Sequence, residues 1–519
     1  MNANVSIFND IIGPVMRGPS SSHTAASWRI ARICLEILNE PLKQALIDFD
    51  KYGIWAGNYR EQGTVMGING GLLGLDITDD RMKNTDALAE KLGIDIHYEI
   101  GSFPTNHTNT VRLTLEGKNE NRVRVIAVST GGGSFEIQHI DHFRVNIRGD
   151  YFELLIWMKN NRSIQEDIKR LLPEKALLFQ STNENGTLIN IKLSKEIPPE
   201  IFEQLKKSTA IEKVTLINPI LPIISGNGFG LPFNTIDSLL KYGEKNKFSL
   251  GDLGLIYEEC RSGLSKQILI IKMKKVVDIV DSSINGGLKG TVYQDRILHQ
   301  QSHLIGKAES DGKILKNSVV NKIISYVTGI MESKSAMEVI VANPTAGSCG
   351  TVGGVIKAVA EELNSSVDDL FRAYFASGII GVYFAQGAGF SAEEYGCQVE
   401  CGAASGMAAA GIVQLMGGTA REAISAASSA IQNMLGLICD PVADRVEVPC
   451  LGKNISAAMN ALSSATMARS GFDAVIPLEE VIQTVARVGE QMPECVKCTG
   501  RGGLSITETS IRIKERLRN

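Results

Sequence analysis

Gly396-Cys397-Gln398-Val399-Glu400-Cys401-Gly402 opens the stretch on which this fold turns, and Cys439-Asp440-Pro441 and Val448-Pro449-Cys450 close it. Between the first two motifs, Ala403 to Gly436 is rich in Ala, Gly and Ser, poor in large side chains, and reads as helical. Thiolates are soft ligands that suit iron–sulfur clusters and zinc. The three cysteine motifs lie too far apart for a local knuckle, so tertiary structure must bring them together. Spacing alone does not name the metal.

Working outward, a chain of 519 residues has room for about two to four domains, each with its own core. Apolar content of 44% and charged content of 21% are those of an ordinary globular protein. A net charge of −4 offers no basic field for nucleic acid or anionic lipid, which leaves a small molecule as the expected partner. No signal peptide is visible at Met1-Asn2-Ala3-Asn4-Val5. The most apolar run, Ala376 to Phe390, is short, Gly-rich and interrupted by Gln386, so it reads as a buried core helix and not a membrane span. Of nine cysteines, six follow position 390. In a chain without a secretion signal these are expected to stay reduced, as ligands or reactive thiols in a cytoplasmic protein.

The N-terminal third is a mixed α/β region. Gly13-Pro14-Val15-Met16-Arg17-Gly18-Pro19-Ser20-Ser21-Ser22-His23-Thr24 precedes a helix patterned by Ile30, Ile33, Cys34, Ile37 and Leu38. The Ser/Thr cluster stands where an N-cap belongs, and a helix start of this kind favours a substrate carboxylate or phosphate. A plain capped helix start is the competing reading. Gly57 to Gly74 is expected to be a Gly-rich loop, Arg122 to Val128 a strand, and Thr130 to Ser134 a tight turn. His107, in the polar run Asn106 to Thr110 with Asn109, is either a surface histidine or a site residue.

From about 149 to 222 the order is strand Tyr151–Met158, helix Ser163–Leu171, strands Ala176–Gln180 and Thr187–Leu193, helix Pro199–Lys206 and strand Lys213–Ile217. That order, βαββαβ, predicts a ferredoxin-like unit. Beyond the Gly/Pro-punctuated linker Pro219–Pro232, helices dominate to the C-terminus. Pro344-Thr345-Ala346-Gly347-Ser348-Cys349-Gly350 is a polar turn opening a further helix, a second candidate anion cradle. Cys349 within it reads as a small buried residue before a reactive thiol.

With these motifs in view, the chain resembles the bacterial iron–sulfur-dependent L-serine dehydratases, or L-serine ammonia-lyases, over nearly its whole length. Gly18 to Thr24 is similar to the signature of the family's β part, and residues 149–222 sit where many members carry an ACT-like regulatory domain. Pro344 to Ser348, Gly396 to Glu400, Cys439 to Pro441, Val448 to Cys450 and Gly500 to Leu504 resemble the α part. The two parts, separate subunits in some bacteria, look fused here. The resemblance implies an α/β domain at 1–148, an ACT-like domain at 149–222 and a helical catalytic domain at 223–519. It implies a 4Fe–4S cluster on Cys397, Cys439 and Cys450, one iron being left open as a Lewis acid toward a substrate hydroxyl. Together with the loop readings above, substrate binding is expected at Ser20, Ser21, Ser22, Thr24, His107, Asn109, Thr345 and Gly347. A homo-oligomer is the expectation for such enzymes.

The chain departs from the family at Arg60-Glu61-Gln62-Gly63-Thr64-Val65, where Gln62 stands for the usual proton-accepting histidine and Val65 for an aspartate. An amide is no base near pH 7, which makes His23 the best-placed candidate for that role. A second departure puts Cys498, in Cys495-Val496-Lys497-Cys498-Thr499, where a glutamate is common. Cys401, four residues past Cys397, is another spare thiol. Two alternatives therefore stand beside serine dehydration. One is the same chemistry on another small substrate, by L-cysteine desulfidation or dehydration of another β-hydroxy acid. The other is a closed zinc or cluster site with Cys401, Cys495 and Cys498 as extra ligands and a structural or redox-sensing role.

Overall fold

A computed structural model of the chain describes residues 5–103, 105, 107–159, 168, 171–172 and 176–518. It is a multidomain α/β protein with mixed sheets and a helical C-terminal region. Two compact units emerge. One comprises the residues up to Ser22, Gly131–Gly133 and Phe229 onward; the other comprises His23–Thr130 and Ser134–Gly228.

The second unit carries a six-stranded sheet in the order Asp95–Gly101, Leu42–Asp50, Thr110–Gly117, Arg122–Gly131, Ser134–Ile140, Phe143–Ile147. The first pair is parallel, with Ile47 opposite Tyr98, and the Leu42–Asp50 strand meets Thr110–Gly117 antiparallel. A parallel pair needs a long crossover, and the helices between the two strands supply it. Alternate residues Val111, Leu113, Leu115 and Val123, Val125, Ala127 face a common core with Ile30, Ile33, Cys34 and Ile37 of helix Ala26–Leu38.

Two local expectations fail here for identifiable reasons. Gly57 to Gly74 is not a loop; it holds helices Trp55–Asn58 and Thr64–Leu72. Gly67 and Gly71 are there for close packing. A Cβ on Gly67 would stand 2.5 Å from the Thr24 carbonyl oxygen, and one on Gly71 would stand 2.6 Å from that of Trp28. The Ser/Thr run is also not itself the cap of helix Ala26–Leu38. Ser21–Ala25 is a π-helical turn running straight into helix Ala26–Leu38, whose flanking Ala25 has helical backbone and no side-chain cap. The Thr24 hydroxyl instead donates to the Gln62 carbonyl at 3.0 Å.

The glycine packing is testable. Gly71→Ala gains about 1 kcal/mol of helix propensity but forces two backbones apart, an overpacking cost of about 1–3 kcal/mol. A net loss of stability in denaturant melts is expected, whereas Gly57→Ala, with nothing within 4 Å of the added carbon, should be neutral or stabilising.

A four-stranded antiparallel sheet follows in the same unit, in the order Ile211–Ile217, Phe152–Met158, Gly186–Leu193, Leu177–Asn183. Its two central strands, Phe152–Met158 and Gly186–Leu193, are mostly buried, whereas the edge strand Leu177–Asn183 is largely exposed. Leu155, Leu188 and Ile217 join the core of the larger sheet, while Leu154, Ile156, Ile189 and Ile191 build a second core with Leu205 of helix Pro199–Lys207. The expected helix Ser163–Leu171 lies almost wholly outside the described residues.

In the first unit, residues 5–22 are woven into the helical part. Val15–Met16 pairs antiparallel with Ile340–Val341, and both Ser6 Oγ and the Ile7 N–H donate to the buried Glu258 carboxylate at 2.8 Å. The expected run Ala403 to Gly436 is two helices, Cys401–Leu415 and Ala420–Gln432. Nearly every side chain of the first is buried, and its glycines admit neighbouring helices: a Cβ on Gly411 would stand 2.5 Å from Ser377 Oγ of helix Val367–Gly387. Small side chains let helix axes approach closely, which is how so many elements reach one point. Among the described residues, no helix is long and apolar enough to cross a membrane.

Candidate metal centre

Each of the three cysteine motifs is set by its own local geometry. Gly396 has φ +75°, a backbone that costs glycine little, and it turns the chain into the 3₁₀ turn Cys397–Val399. Gln398 then ties that turn to the next motif. Its N–H donates to the Leu437 carbonyl at 3.0 Å, and its side-chain oxygen accepts from the Gly436 N–H at 3.0 Å. Cys439 follows in a bridge with Lys497, its N–H donating to the Val496 carbonyl at 2.8 Å. Cys450 is the first residue of helix Cys450–Arg469, where the helix dipole favours a thiolate.

These turns converge. Cys397 Sγ, a Glu400 carboxylate oxygen and Cys439 Sγ lie within 4.8 Å of one another. Cys397, Cys439 and Cys450 are buried, as is Cys401 at the head of its helix, and all nine cysteines are free thiols. Glu400 accepts from Thr345 Oγ1 at 2.6 Å, which joins the polar turn Thr345–Ser348 to the thiols. A Cβ on Gly347 would stand 2.9 Å from the Glu400 oxygens, so only glycine lets that turn approach.

Asn454, fully buried one helical turn past Cys450, binds the parts together. Its Nδ2 donates to the Gly347 carbonyl at 2.7 Å and to the Cys450 carbonyl at 2.9 Å, and Thr351 Oγ1 donates to its Oδ1 at 3.1 Å. Lys453 Nζ bonds Asp440 at 2.7 Å and the Ile438 carbonyl at 2.8 Å. Lys334, fully buried, donates to the Val446 carbonyl.

The electrostatics suit a bound cation. Burial pushes the Cys450 thiol up to about 12, with Cys397 adding to the shift. The Cys439 thiol is held well above its ordinary range by hydrogen bonds with Cys397 and Cys498 and then by burial. Burial and then Cys397 do the same to Cys401. Glu400 is raised by burial, against the pull of Thr345 and Lys334. Thiolates so placed repel one another unless a positive centre compensates them, and metal binding then displaces their protons. Cys397, Glu400 and Cys439 form a triple that could hold a metal ion.

The sequence-predicted residues fall as follows. Cys397, Cys439, Cys450, Thr345 and Gly347 come together in the helical unit. Ser20, Ser21 and Ser22 belong to the same unit. His23, Thr24, His107 and Asn109 belong to the other. There His23 is fully buried, its Nε2 lies 2.8 Å from Asn58 Oδ1, and burial lowers its pKa to about 4 against the opposing effect of Asn58. His107 shapes its own loop, Nδ1 accepting from the Asn109 N–H at 3.1 Å. Cys349 packs on Met331 as a core thiol. Glu400, Lys453 and Asn454 escaped the sequence reading. Glu400 lay inside the quoted motif, and Asn454 shares a helix face with Cys450.

Comparison with known proteins fits this arrangement. The family model for the serine dehydratase alpha chain matches residues 168–505, more than half of the chain. A probable L-serine dehydratase alpha chain of Bacillus subtilis (strain 168) is 33% identical over 285 residues, 55% of this chain and 95% of that protein. The L-serine dehydratase alpha chain of Peptoniphilus asaccharolyticus is 32% identical over 282 residues, 54% of this chain and 97% of its own length. A probable L-serine dehydratase beta chain of the same Bacillus subtilis strain is 31% identical over 218 residues, 41% of this chain and 97% of that protein. The chain therefore belongs to the serine dehydratase family, with the beta and alpha parts fused in one polypeptide.

Proposed function

We propose that this chain is an iron–sulfur-dependent lyase that converts L-serine to pyruvate and ammonia. The observation that carries the reading is the meeting of Cys397 and Cys439 with Glu400 beside buried Cys450, in a chain akin to proteins named L-serine dehydratases. Cys397, Cys439 and Cys450 would hold a 4Fe–4S cluster. When bound, the cluster supplies a Lewis-acidic iron that turns the substrate hydroxyl into a better leaving group.

The protein's own groups do the rest. Thr345 and Gly347 are proposed to hold the substrate carboxylate, with Glu400 and Asn454 fixing their turn. Ser20, Ser21, Ser22, Thr24, His107 and Asn109 are proposed as further substrate contacts. His23 is proposed as the α-proton acceptor. Burial keeps its imidazole neutral at pH 7, the form that can accept a proton, and Asn58 Oδ1 orients the ring through Nε2. Loss of the proton and of water leaves an enamine, which tautomerises to an imine and hydrolyses to the oxo acid and ammonia.

The four-stranded sheet, with its strand order 4-1-3-2, supports a ferredoxin-like, ACT-like regulatory role for residues 149–222, between a β-type domain at 1–148 and an α-type domain at 223–519. Nine free thiols favour a reducing, cytoplasmic setting, and a homo-oligomer is expected.

The test is an oxygen-free assay over small hydroxy and thiol amino acids. Equal amounts of pyruvate and ammonia from L-serine are expected. Sulfide release from L-cysteine with no turnover of L-serine would move the substrate to the thiol amino acid.

A further inference from the structure

We propose that Lys334 is the built-in counter-ion of this centre, a positioning residue whose ammonium offsets the charge gathered by the thiols and Glu400 and pins the turn that presents Cys450. The inference rests on the metal reading above and concerns a cation that stands outside every set of ligands.

Lys334 lies in the last turn of helix Ser318–Ser335, fully buried. A lysine ammonium carries three N–H donors and a full charge. Among the described residues, its Nζ bonds one acceptor, the Val446 carbonyl, and pairs with no carboxylate. A helix C-terminus and a single carbonyl are weak partners for a charge taken wholly out of water. Other buried cations of this chain have the ordinary solution: Arg261 lies 3.0 Å from Glu258, and Lys192 lies 2.8 Å from Glu153. Lys334 calls for a negative group of another kind.

The metal centre is that group. Burial pushes the Cys450 thiol up, and the foremost effect opposing it is that of Lys334. Lys334 also leads the groups that oppose burial at Cys349, and at Glu400 it follows Thr345. Lys453 acts on Cys450 and Glu400 as well, but Asp440 at 2.7 Å already balances its charge. Net positive charge beside these thiols is thus left to Lys334.

The same ammonium is a mechanical tie. Val446 belongs to a closed turn, in which the Val442 N–H donates to the Val448 carbonyl at 2.8 Å, and the turn runs into Cys450 at the head of its helix. Holding Val446 fixes where that turn ends. Thiolates gathered beside a carboxylate build up negative charge in a dry interior, where charge is poorly screened. With Lys334 in place the thiols shed their protons to solvent more readily as metal binds. No bond forms or breaks at Lys334 itself.

The full-length protein, made without air, is compared with two variants. Lys334→Met keeps the length of the side chain and drops the charge, and Lys334→Gln keeps a donor for the Val446 carbonyl. Lys322→Met, at a partly exposed lysine of the same helix, is the control. Wild type and control should lose iron to the chelator ferrozine slowly and alike. Both Lys334 variants should lose it at least about tenfold faster, the low end of what removing a supporting group does to a metal site. Their remaining centres should have a lower reduction potential than wild type, because an added electron no longer meets the ammonium. Stripped of metal, the variants should unfold in denaturant no earlier than metal-free wild type, since each has shed a buried charge that has no carboxylate partner. A lysine that only packs would shift the melts and leave the potential alone. Variants that hold iron as firmly as wild type, that keep its potential, or that unfold earlier when metal-free would overturn the counter-ion and leave the proposed function standing. Wild type without iron would overturn the metal reading, and the counter-ion with it.

Discussion

Cys450→Ala should bind little or no iron and lose L-serine turnover by about a thousandfold or more while keeping its fold. The size follows from the chemistry assigned to the centre. Lewis-acid assistance supplies several kcal/mol, and each 1.36 kcal/mol is tenfold in rate. The fold should survive because the lost sulfur is one small buried atom at the head of helix Cys450–Arg469, whose packing runs through Ala457, Ala458, Ala461 and Ala465. Cys260→Ala is the control, a buried thiol in helix Leu250–Ser262 that belongs to no cysteine cluster. It should keep both iron and activity. Iron analysis, circular dichroism and turnover on the same samples check all three statements. Full activity in Cys450→Ala would remove this residue from the centre.

Lys192→Met should be the most damaging single change in the four-stranded sheet. Lys192 Nζ lies 2.8 Å from Glu153 Oε1, and Asn190 Nδ2 donates to the other oxygen at 2.7 Å; Glu153 is fully buried and Lys192 nearly so. Removing one partner of a buried pair strands the other, a cost of about 3–5 kcal/mol. Burial already raises the Glu153 pKa, against the effect of Lys192, so losing the lysine raises it further. The sign for pH follows. Above the ordinary carboxylate range the folded variant holds a proton that the unfolded chain has released, so its stability falls as pH rises through that window. Acidification from about pH 7 toward pH 5 should therefore restore part of the loss. Denaturant melts at both values check this, and the double change Glu153→Leu with Lys192→Met should recover most of the stability.

Much of the fold was legible because local pattern and tertiary role agree. Strand Phe152–Met158 and helix Pro199–Lys207 fall within a residue of their expected bounds, since apolar runs and a proline near a helix start carry their own signals. Gly67 and Gly71 misled because the same residue breaks a loop or lets helices touch, and only the partner helix decides which. Ser21 to Ala25 misled because Thr24 finds its acceptor in Gln62, a long-range bond no local pattern announces. The cysteine motifs showed which thiols to watch. Neither the span from Cys439 to Cys498 nor the tie from Asn454 to Gly347 has a sequence period, so the meeting of these segments waited for the structure.

The most direct measurement is the iron and acid-labile sulfide content of wild-type protein purified without any exposure to air. The expected result is brown protein carrying about four iron and four sulfide per chain, as a 4Fe–4S cluster requires. Colourless protein with no iron, or with zinc in its place, would contradict the assignment of Cys397, Cys439 and Cys450 to an iron–sulfur centre.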